Sequence, residues 1–329
     1  MVALVPRSLL TPAHPAGTWR ADWLVRVLRA SARSIAGGMP PAKARARLET
    51  LSLFAPPPAG VTVRRDRLAG MKTKVFRPHD RRSDRVVLHL HGGGYAFCST
   101  RTHKGMLGDL ARATRREVYA AEYALAPEHA FPRPVADARR AFEALVARGV
   151  APERIVLSGD SAGGALAVAV ALALRDAGQP GPGALVLLSP WVDLADTPRD
   201  LGEDYLTPDL MARFAAHYLQ GTDPTDPLAS PAHAELEGLP PMLIQAGGAE
   251  ILRGQIERFA RRAKRHGPCF CRRPCPPLSA VGVLPWSPSW ACGSSSRRRS
   301  RPSGALGWIP KSARRSCSTP RRARPSPAR

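Results

Sequence analysis

From residue 85 onward, short β-rich apolar runs alternate with helical patterns, and this alternation limits the possible folds more than any other feature. The runs are "RVVLHLHGGG" from Arg85, "EVYAAEY" from Glu117, "RIVLS" from Arg154, "ALVLLS" from Ala184 and "MLIQAG" from Met242. Helical patterns cover Pro134 to Arg148, Ala162 to Ala177, Pro208 to Tyr218 and Leu252 to His266. Apolar strands spaced by helices bury both faces, which predicts an α/β fold: a mostly parallel twisted sheet flanked by helices. Upstream, "GVTVRRDRL" and "KTKVFRP" read as two outer strands with polar residues on one side. Before them Trp19, Trp23, Val27 and Ile35 fall on a four-residue spacing, the apolar face of one amphipathic helix, and the Pro-rich "FAPPPAG" ends that piece.

Two motifs lie at strand ends, where such sheets bind ligands. Gly159-Asp160-Ser161-Ala162-Gly163 follows an apolar strand and opens a helix. Gly159 and Gly163 permit a sharp strand-to-helix turn that lifts the Ser161 hydroxyl clear of the sheet, and the helix N-terminus behind it favours developing negative charge. His91-Gly92-Gly93-Gly94-Tyr95 also stands just beyond an apolar strand. Consecutive glycines leave backbone N–H groups uncovered and able to point at an oxyanion, together with the N–H of the residue after the serine.

"HLHGGGYAFCS", "EYALAPEHAFPRPVADA", "LSGDSAGGALA", "LLSPWVDL" and "DPLASPAHAELEGLPPMLIQAGGAEIL" occur in that order, and across residues 60 to 260 the chain resembles the hormone-sensitive-lipase group of α/β-hydrolase esterases. The resemblance implies an α/β-hydrolase fold with a small N-terminal helical cap, and hydrolysis of carboxylic esters through an acyl-serine without a cofactor. It implies Ser161 as nucleophile, N–H groups of Gly93, Gly94 and Ala162 for the oxyanion, and Tyr95 and Phe97 lining an acyl pocket or simply packing. Glu250, in Gly248-Ala249-Glu250-Ile251-Leu252, takes the place of the family's orienting acid; the competing reading is a solvated carboxylate at a helix start. The family commonly has a second acid four residues on, where this chain has Gly254. Asp160, Asp193 and His91 read as structural hydrogen-bonding groups.

The family's histidine should follow on a loop after an eighth strand, and it is missing. His266 is the last histidine, 16 residues after Glu250 and at the end of a helical pattern. From Gly267 to Arg329 there are 13 Lys+Arg, 11 Pro and 12 Ser but no Asp, Glu or His, whereas residues 1 to 266 hold the other 36 bases and all 26 acids. Proline scattered through this tail excludes a central strand or a long helix. GC-rich codons read out of frame give such a composition, which predicts a shift of reading frame near codon 267 and the loss of the last strand and helix.

The chain therefore divides into an N-terminal cap segment (1–58), a hydrolase core (59–266) lacking its C-terminal strand and helix, and a basic, Pro/Ser/Arg-rich tail (267–329) expected to be disordered. The expected function is ester hydrolysis on short- to medium-chain acyl esters, impaired by the absent histidine. The alternatives are a non-catalytic binding protein of the same fold, or a body whose basic tail binds nucleic acid or an anionic surface. A small ester is the expected partner and nucleic acid is not. Cys269, Cys271 and Cys275 do not have the spacing of a common zinc site, so no metal is expected. Cys98 is the only cysteine of the body, and no run of about 18 apolar residues occurs, which points to a cytoplasmic protein without a membrane span. Oligomeric state has no signature in the sequence.

Overall fold

The structure, a computed structural model, describes residues 26–271 apart from 27–28, 31, 36, 54–57, 197–203 and 267–268. Its strands are β1 (Val61–Leu68), β2 (Met71–Pro78), β3 (Val86–Leu90), β4 (Glu117–Ala121), β5 (Ile155–Asp160), β6 (Ala184–Leu188), β7 (Met242–Gln245) and β8 (Cys269–Cys271). The helices are α1 (Pro41–Leu53), α2 (Lys104–Thr114), α3 (Arg133–Ala147), α4 (Ala162–Asp176), α5 (Pro208–Leu219) and α6 (Arg253–His266). One sheet runs in the order β1-β2-β4-β3-β5-β6-β7-β8. The β1–β2 and β2–β4 pairs are antiparallel and all others parallel, as the alternation predicts.

Burial follows the sequence pattern. Every residue of β3 is buried, as expected of a parallel strand covered on both faces, whereas β1 exposes most of its length at the sheet's edge. The run AGGALAVAVALALRD of α4 is apolar almost all round, and such a helix is stable only inside; Ala162 to Leu172 and Leu174 are all buried. On α3 the buried positions Pro134, Ala138, Ala141, Phe142 and Leu145 repeat at helical spacing. Asp137 is buried among them, its carboxylate accepting from Arg133 Nε (2.9 Å), Arg140 Nη2 (2.5 Å) and the Ala124 N–H (3.0 Å). Residues 32–35 are helical and Ile35 is buried, in keeping with the amphipathic pattern, while Trp19, Trp23 and Val27 lie outside the described residues.

One expectation needs correction. The last strand is not wholly lost: Cys269–Cys271 pairs in parallel with β7, Met242 opposite Cys269 and Ile244 opposite Cys271. The prolines at 268 and 274 leave a short stretch between them whose backbone N–H groups are all present, and an edge strand needs no more than that. The rest of the tail lies outside the described residues. Among the described residues no helix is long and apolar enough to cross a membrane.

Candidate active site

Ser161 joins β5 to α4, at φ 51° and ψ −122°. This region is sparsely populated for a residue with a side chain and costs about 1–3 kcal/mol, so the surroundings must hold it. They do so through backbone hydrogen bonds: Ser161 N–H donates to the Leu188 carbonyl at 2.9 Å, and the Ser161 carbonyl accepts from Trp191 (2.9 Å) and Gly164 (3.0 Å). The glycines make room for the turn. A Cβ on Gly159 would strike the Gly163 carbonyl, and one on Gly163 would strike that of Leu90. Ser161 is half-buried, and its Oγ makes no hydrogen bond among the described residues.

The glycine loop lies across the end of β3. Gly93 (φ 114°) and Gly94 (φ 60°) adopt the left-handed backbone that favours glycine, and a Cβ on Gly94 would enter the Phe214 ring of α5. The loop is stiffened by Ala96 and Phe97 N–H groups donating to the Gly93 carbonyl at 3.1 and 2.9 Å. Among the described residues the N–H groups of Gly93 and Gly94 donate to no backbone carbonyl, and that of Ala162 belongs to the first turn of α4, where helical donors have no internal partner. Tyr95 and Phe97 turn out to be core residues at this side of the sheet. Tyr95 is stacked on Tyr218 with ring centroids 3.7 Å apart, and Phe97 packs at 5.1 Å from Phe214.

Asp160 braces the glycine loop. Its Oδ1 accepts from the Gly92 N–H (3.0 Å) and lies 3.1 Å from His89 Nε2, while Oδ2 lies 3.2 Å from His103 Nε2. Burial pushes the Asp160 carboxyl up, but His103 and His89 outweigh it and hold the group well below the carboxylate range; His103 is correspondingly raised by Asp160 against its own burial. His91 donates from Nδ1 to the Gly92 carbonyl at 2.8 Å and stacks on Tyr123, and burial pushes it down to about 3. Asp193 accepts from the Ala195 and Asp196 N–H groups and faces His233 Nε2 at 3.0 Å. Asp160, Asp193 and His91 are thus hydrogen-bonding groups of the framework, as read from the sequence.

Glu250 follows β7 and is not the solvated carboxylate of the competing reading. Oε1 accepts from Ser189 Oγ at 2.7 Å, while Oε2 is buried with no hydrogen-bond partner among the described residues. Burial raises its carboxyl above the ordinary value and the nearby Asp204 charge adds to this, against hydrogen bonds from Ser189 and the Gly247 backbone. Gly254 is exposed in the first turn of α6. Ser189 (φ 47°) and Asp204, which accepts the Ile251 N–H at 2.9 Å, were not singled out in the sequence. His266 is the exposed last residue of α6.

A serine at a strand-to-helix turn, a glycine loop beside it and a buried carboxylate two strands away define the serine-hydrolase class of α/β proteins. The chain matches the alpha/beta hydrolase fold family over residues 87–270. It is 45% identical over 192 residues to an acetyl-hydrolase of Streptomyces hygroscopicus, covering 57% of this chain and 64% of that protein, so the match spans less than two thirds of the relative. It is 32% identical over 254 residues to an esterase of Acinetobacter venetianus, covering 75% of this chain and 84% of the relative. The crystal structure of an esterase from the bacterial hormone-sensitive lipase family superposes with a TM-score of 0.68 at 37% identity, covering 76% of this chain and 88% of that one. The chain belongs to the α/β-hydrolase fold family, in its hormone-sensitive-lipase group of esterases.

Proposed function

We propose that this body is built to hydrolyse short- to medium-chain carboxylic esters through an acyl-serine intermediate, and that the chain does so poorly because no histidine completes the site. The observation that carries the reading is the Ser161 turn, a strained conformation fixed by Gly159, Gly163 and backbone hydrogen bonds, beside Gly93 and Gly94 N–H groups that donate to no backbone carbonyl among the described residues. Ser161 Oγ is the nucleophile. The N–H groups of Gly93, Gly94 and Ala162 take the charge that develops on the carbonyl oxygen, helped by the N-terminal dipole of α4. Glu250, with Oε1 occupied by Ser189 and Oε2 without a donor among the described residues, is the carboxylate that would steady an imidazolium. The names of the relatives, an acetyl-hydrolase and an esterase, support a short acyl group.

The family match stops at residue 270, and no acid follows Glu257 in the sequence; this supports a reading-frame shift near codon 267 and a tail from 267 to 329 that serves no catalytic purpose. The nucleotide sequence decides this: an alternative frame must encode a histidine loop and a covering helix. Cytoplasmic placement rests on the lone body cysteine, Cys98.

Loss of the histidine from a Ser-His-acid system costs about 10⁶ in kcat, while the oxyanion site and binding retain about 10³–10⁴ over water. The turnover number on p-nitrophenyl acetate should therefore lie only about 10³–10⁴ above the uncatalysed rate constant, and Ser161→Ala should lower it little further. Turnover at ordinary esterase rates that Ser161→Ala abolishes would show that another base serves, with His266→Ala as the first variant to examine.

A further inference from the structure

The hairpin of β1 and β2 carries a charge arrangement that the fold itself does not neutralise. In its antiparallel register Arg65 stands opposite Lys74, and Arg67 opposite Lys72. Residues two apart on a strand share a face, so these four cations stand on one face of the hairpin, with Val63 two residues before Arg65. Arg65, Arg67 and Lys72 are exposed and Lys74 is half-buried. Like charges directly opposite one another destabilise a sheet, yet no acid pairs with any of the four among the described residues. The acid of these two strands, Asp66, belongs to the other face, where Arg148 Nη1 holds it at 2.8 Å. The turn of the hairpin lies at the carboxyl end of the sheet: Thr73 pairs with Ala121, the last residue of β4, and the Glu122 N–H donates to the Lys72 carbonyl at 2.9 Å. Since β4 runs parallel to β3 and β3 to β5, this is the end that carries the glycine loop and Ser161. The last turn of α1 comes to the same surface. Its Glu49 accepts from Ser99 Oγ and faces Arg101 Nε at 3.2 Å. Burial pushes the Lys74 ammonium below its ordinary value, with Arg101 and Lys104 adding to this and Glu122 and Glu49 opposing it, so the hairpin and the end of α1 adjoin. Both acids are engaged, Glu122 by the Thr100 N–H (3.1 Å) and hydroxyl (2.5 Å). Leu53, one helical turn beyond Glu49, is 62% exposed.

We propose that the basic face of the β1–β2 hairpin, together with the exposed leucines at the end of α1, docks this chain on a bilayer of anionic lipids. The chain's own ends lack the charge to cover these cations: residues 1–25 hold one acid, Asp22, against Arg7 and Arg20, and residues 272–329 hold none. A second copy would set cation against cation. Anionic headgroups supply the missing counter-charge, and each Lys or Arg held near such a surface strengthens binding about fivefold. The apolar residues choose between anionic partners. Among the described residues the exposed large apolar side chains are Leu51, Leu53, Val63 and Leu243, all aliphatic. Val63 lies on the basic face itself, and Leu51 and Leu53 in the adjoining turn of α1. Nucleic-acid bases stack on aromatic rings, whereas aliphatic side chains enter the boundary between headgroups and acyl chains. A chain seated in this way meets the bilayer beside the end of the sheet that carries Ser161. Docking needs no turnover, so the inference stands apart from the ester-hydrolysis reading.

The test is cosedimentation of the purified full-length chain with unilamellar vesicles of phosphatidylcholine, with and without phosphatidylglycerol, at low and raised salt. Because the tail is itself basic, two variants matched in charge are compared. One carries Arg65→Gln, Arg67→Gln, Lys72→Gln and Lys74→Gln in the hairpin; the other carries Arg297→Gln, Arg298→Gln, Arg299→Gln and Arg301→Gln in the tail. The native chain should bind vesicles that contain phosphatidylglycerol, bind pure phosphatidylcholine far more weakly, and come off as salt rises. The hairpin variant should bind about a hundredfold or more weakly, and should melt no lower than the native chain because two opposed like-charge pairs are gone. Leu53→Ser should weaken binding about tenfold and leave its salt dependence unchanged. A loss of binding that is equal in the two charge variants, or confined to the tail variant, overturns the inference. So does hairpin-dependent binding to single-stranded DNA that is tighter than binding to the vesicles at the same salt, which would assign the face to nucleic acid. Should the fourfold hairpin variant fail to fold, as its melting curve would reveal, Arg65→Gln alone decides: about fivefold weaker binding supports the inference, and unchanged binding overturns it.

Discussion

His91, at the start of the glycine loop, is held neutral by its surroundings. Burial pushes its pKa from 6.5 to about 3, the neighbouring His103 adds to this, and its Nδ1–H donates to the Gly92 carbonyl. Between those two values the unfolded chain binds a proton at this position that the folded chain refuses, so stability is complete above about 6.5 and is lost as pH falls toward 3, at about 1.4 kcal/mol per unit of separation. His103 works in the opposite sense, since its raised pKa adds stability below 6.5 that is lost as pH rises through the raised value. Asp160, held low, adds an acid loss only below its ordinary 3.8. The predicted outcome is a fall in unfolding free energy, by urea denaturation, as pH drops from about 6.5 to 4, with His91→Asn flattening the slope. An unchanged slope in that variant would contradict the assignment. At this scale the sequence was legible where chemistry is local: Ser161 and its glycines stand in one pentapeptide at a strand-to-helix junction. Glu250 was reached only through the resemblance. Ser189 and Asp204 were missed because single polar residues in loops carry no periodic signal, and only tertiary contacts reveal their partners.

Among the elements, the central strands and α3, α4, α5 and α6 could be read from apolar spacing, because each buries one face or all of its surface in the core. Helices α1 and α2 could not. The KGMLGDLARAT of α2 carries two glycines, and its inner face is small because a Cβ on Gly108 would run into Pro58. In α1 only Ala44 is buried, and the helix is attached by charged side chains instead. Arg45 donates to the Ala96 carbonyl at 2.7 Å and the Ala126 carbonyl at 2.5 Å and pairs with Glu128 at 2.8 Å, while Glu49 accepts from Ser99 and faces Arg101. Through Ala96, which follows the glycine loop, α1 therefore touches the framework of the site. Charge-assisted bonds of this kind contribute about 1.5–3 kcal/mol each where water is excluded and less where it is not. Arg45→Met should lower the unfolding free energy by about 1–3 kcal/mol in a denaturant melt. A variant as stable as the parent would mean that α1 is held by other contacts.

For the molecule as a whole, the sheet of the described residues ends at β8. β8 has three residues, no strand pairs beyond it among the described residues, and Leu243 of β7 is 37% exposed. An open edge beside exposed apolar surface favours association between copies, so the chain should elute from a sizing column as a broad, concentration-dependent mixture. A monodisperse monomer with one sharp melt would contradict this. The short strand also marks how far the sequence could be read: proline content excluded a long strand, but a strand of three residues falls below any periodic signal. The central claim is that Ser161, the glycine loop and Glu250 are a hydrolase site lacking only its base. The most direct measurement is kcat on a short ester for a chimera in which residues 267–329 are replaced by a strand, a histidine loop and an amphipathic helix of the family. The account predicts a rise of up to about 10⁶ over the native chain, abolished by Ser161→Ala and strongly reduced by Glu250→Ala. A chimera that folds, by circular dichroism and melting, yet remains at the native chain's rate across short and medium acyl esters would contradict it.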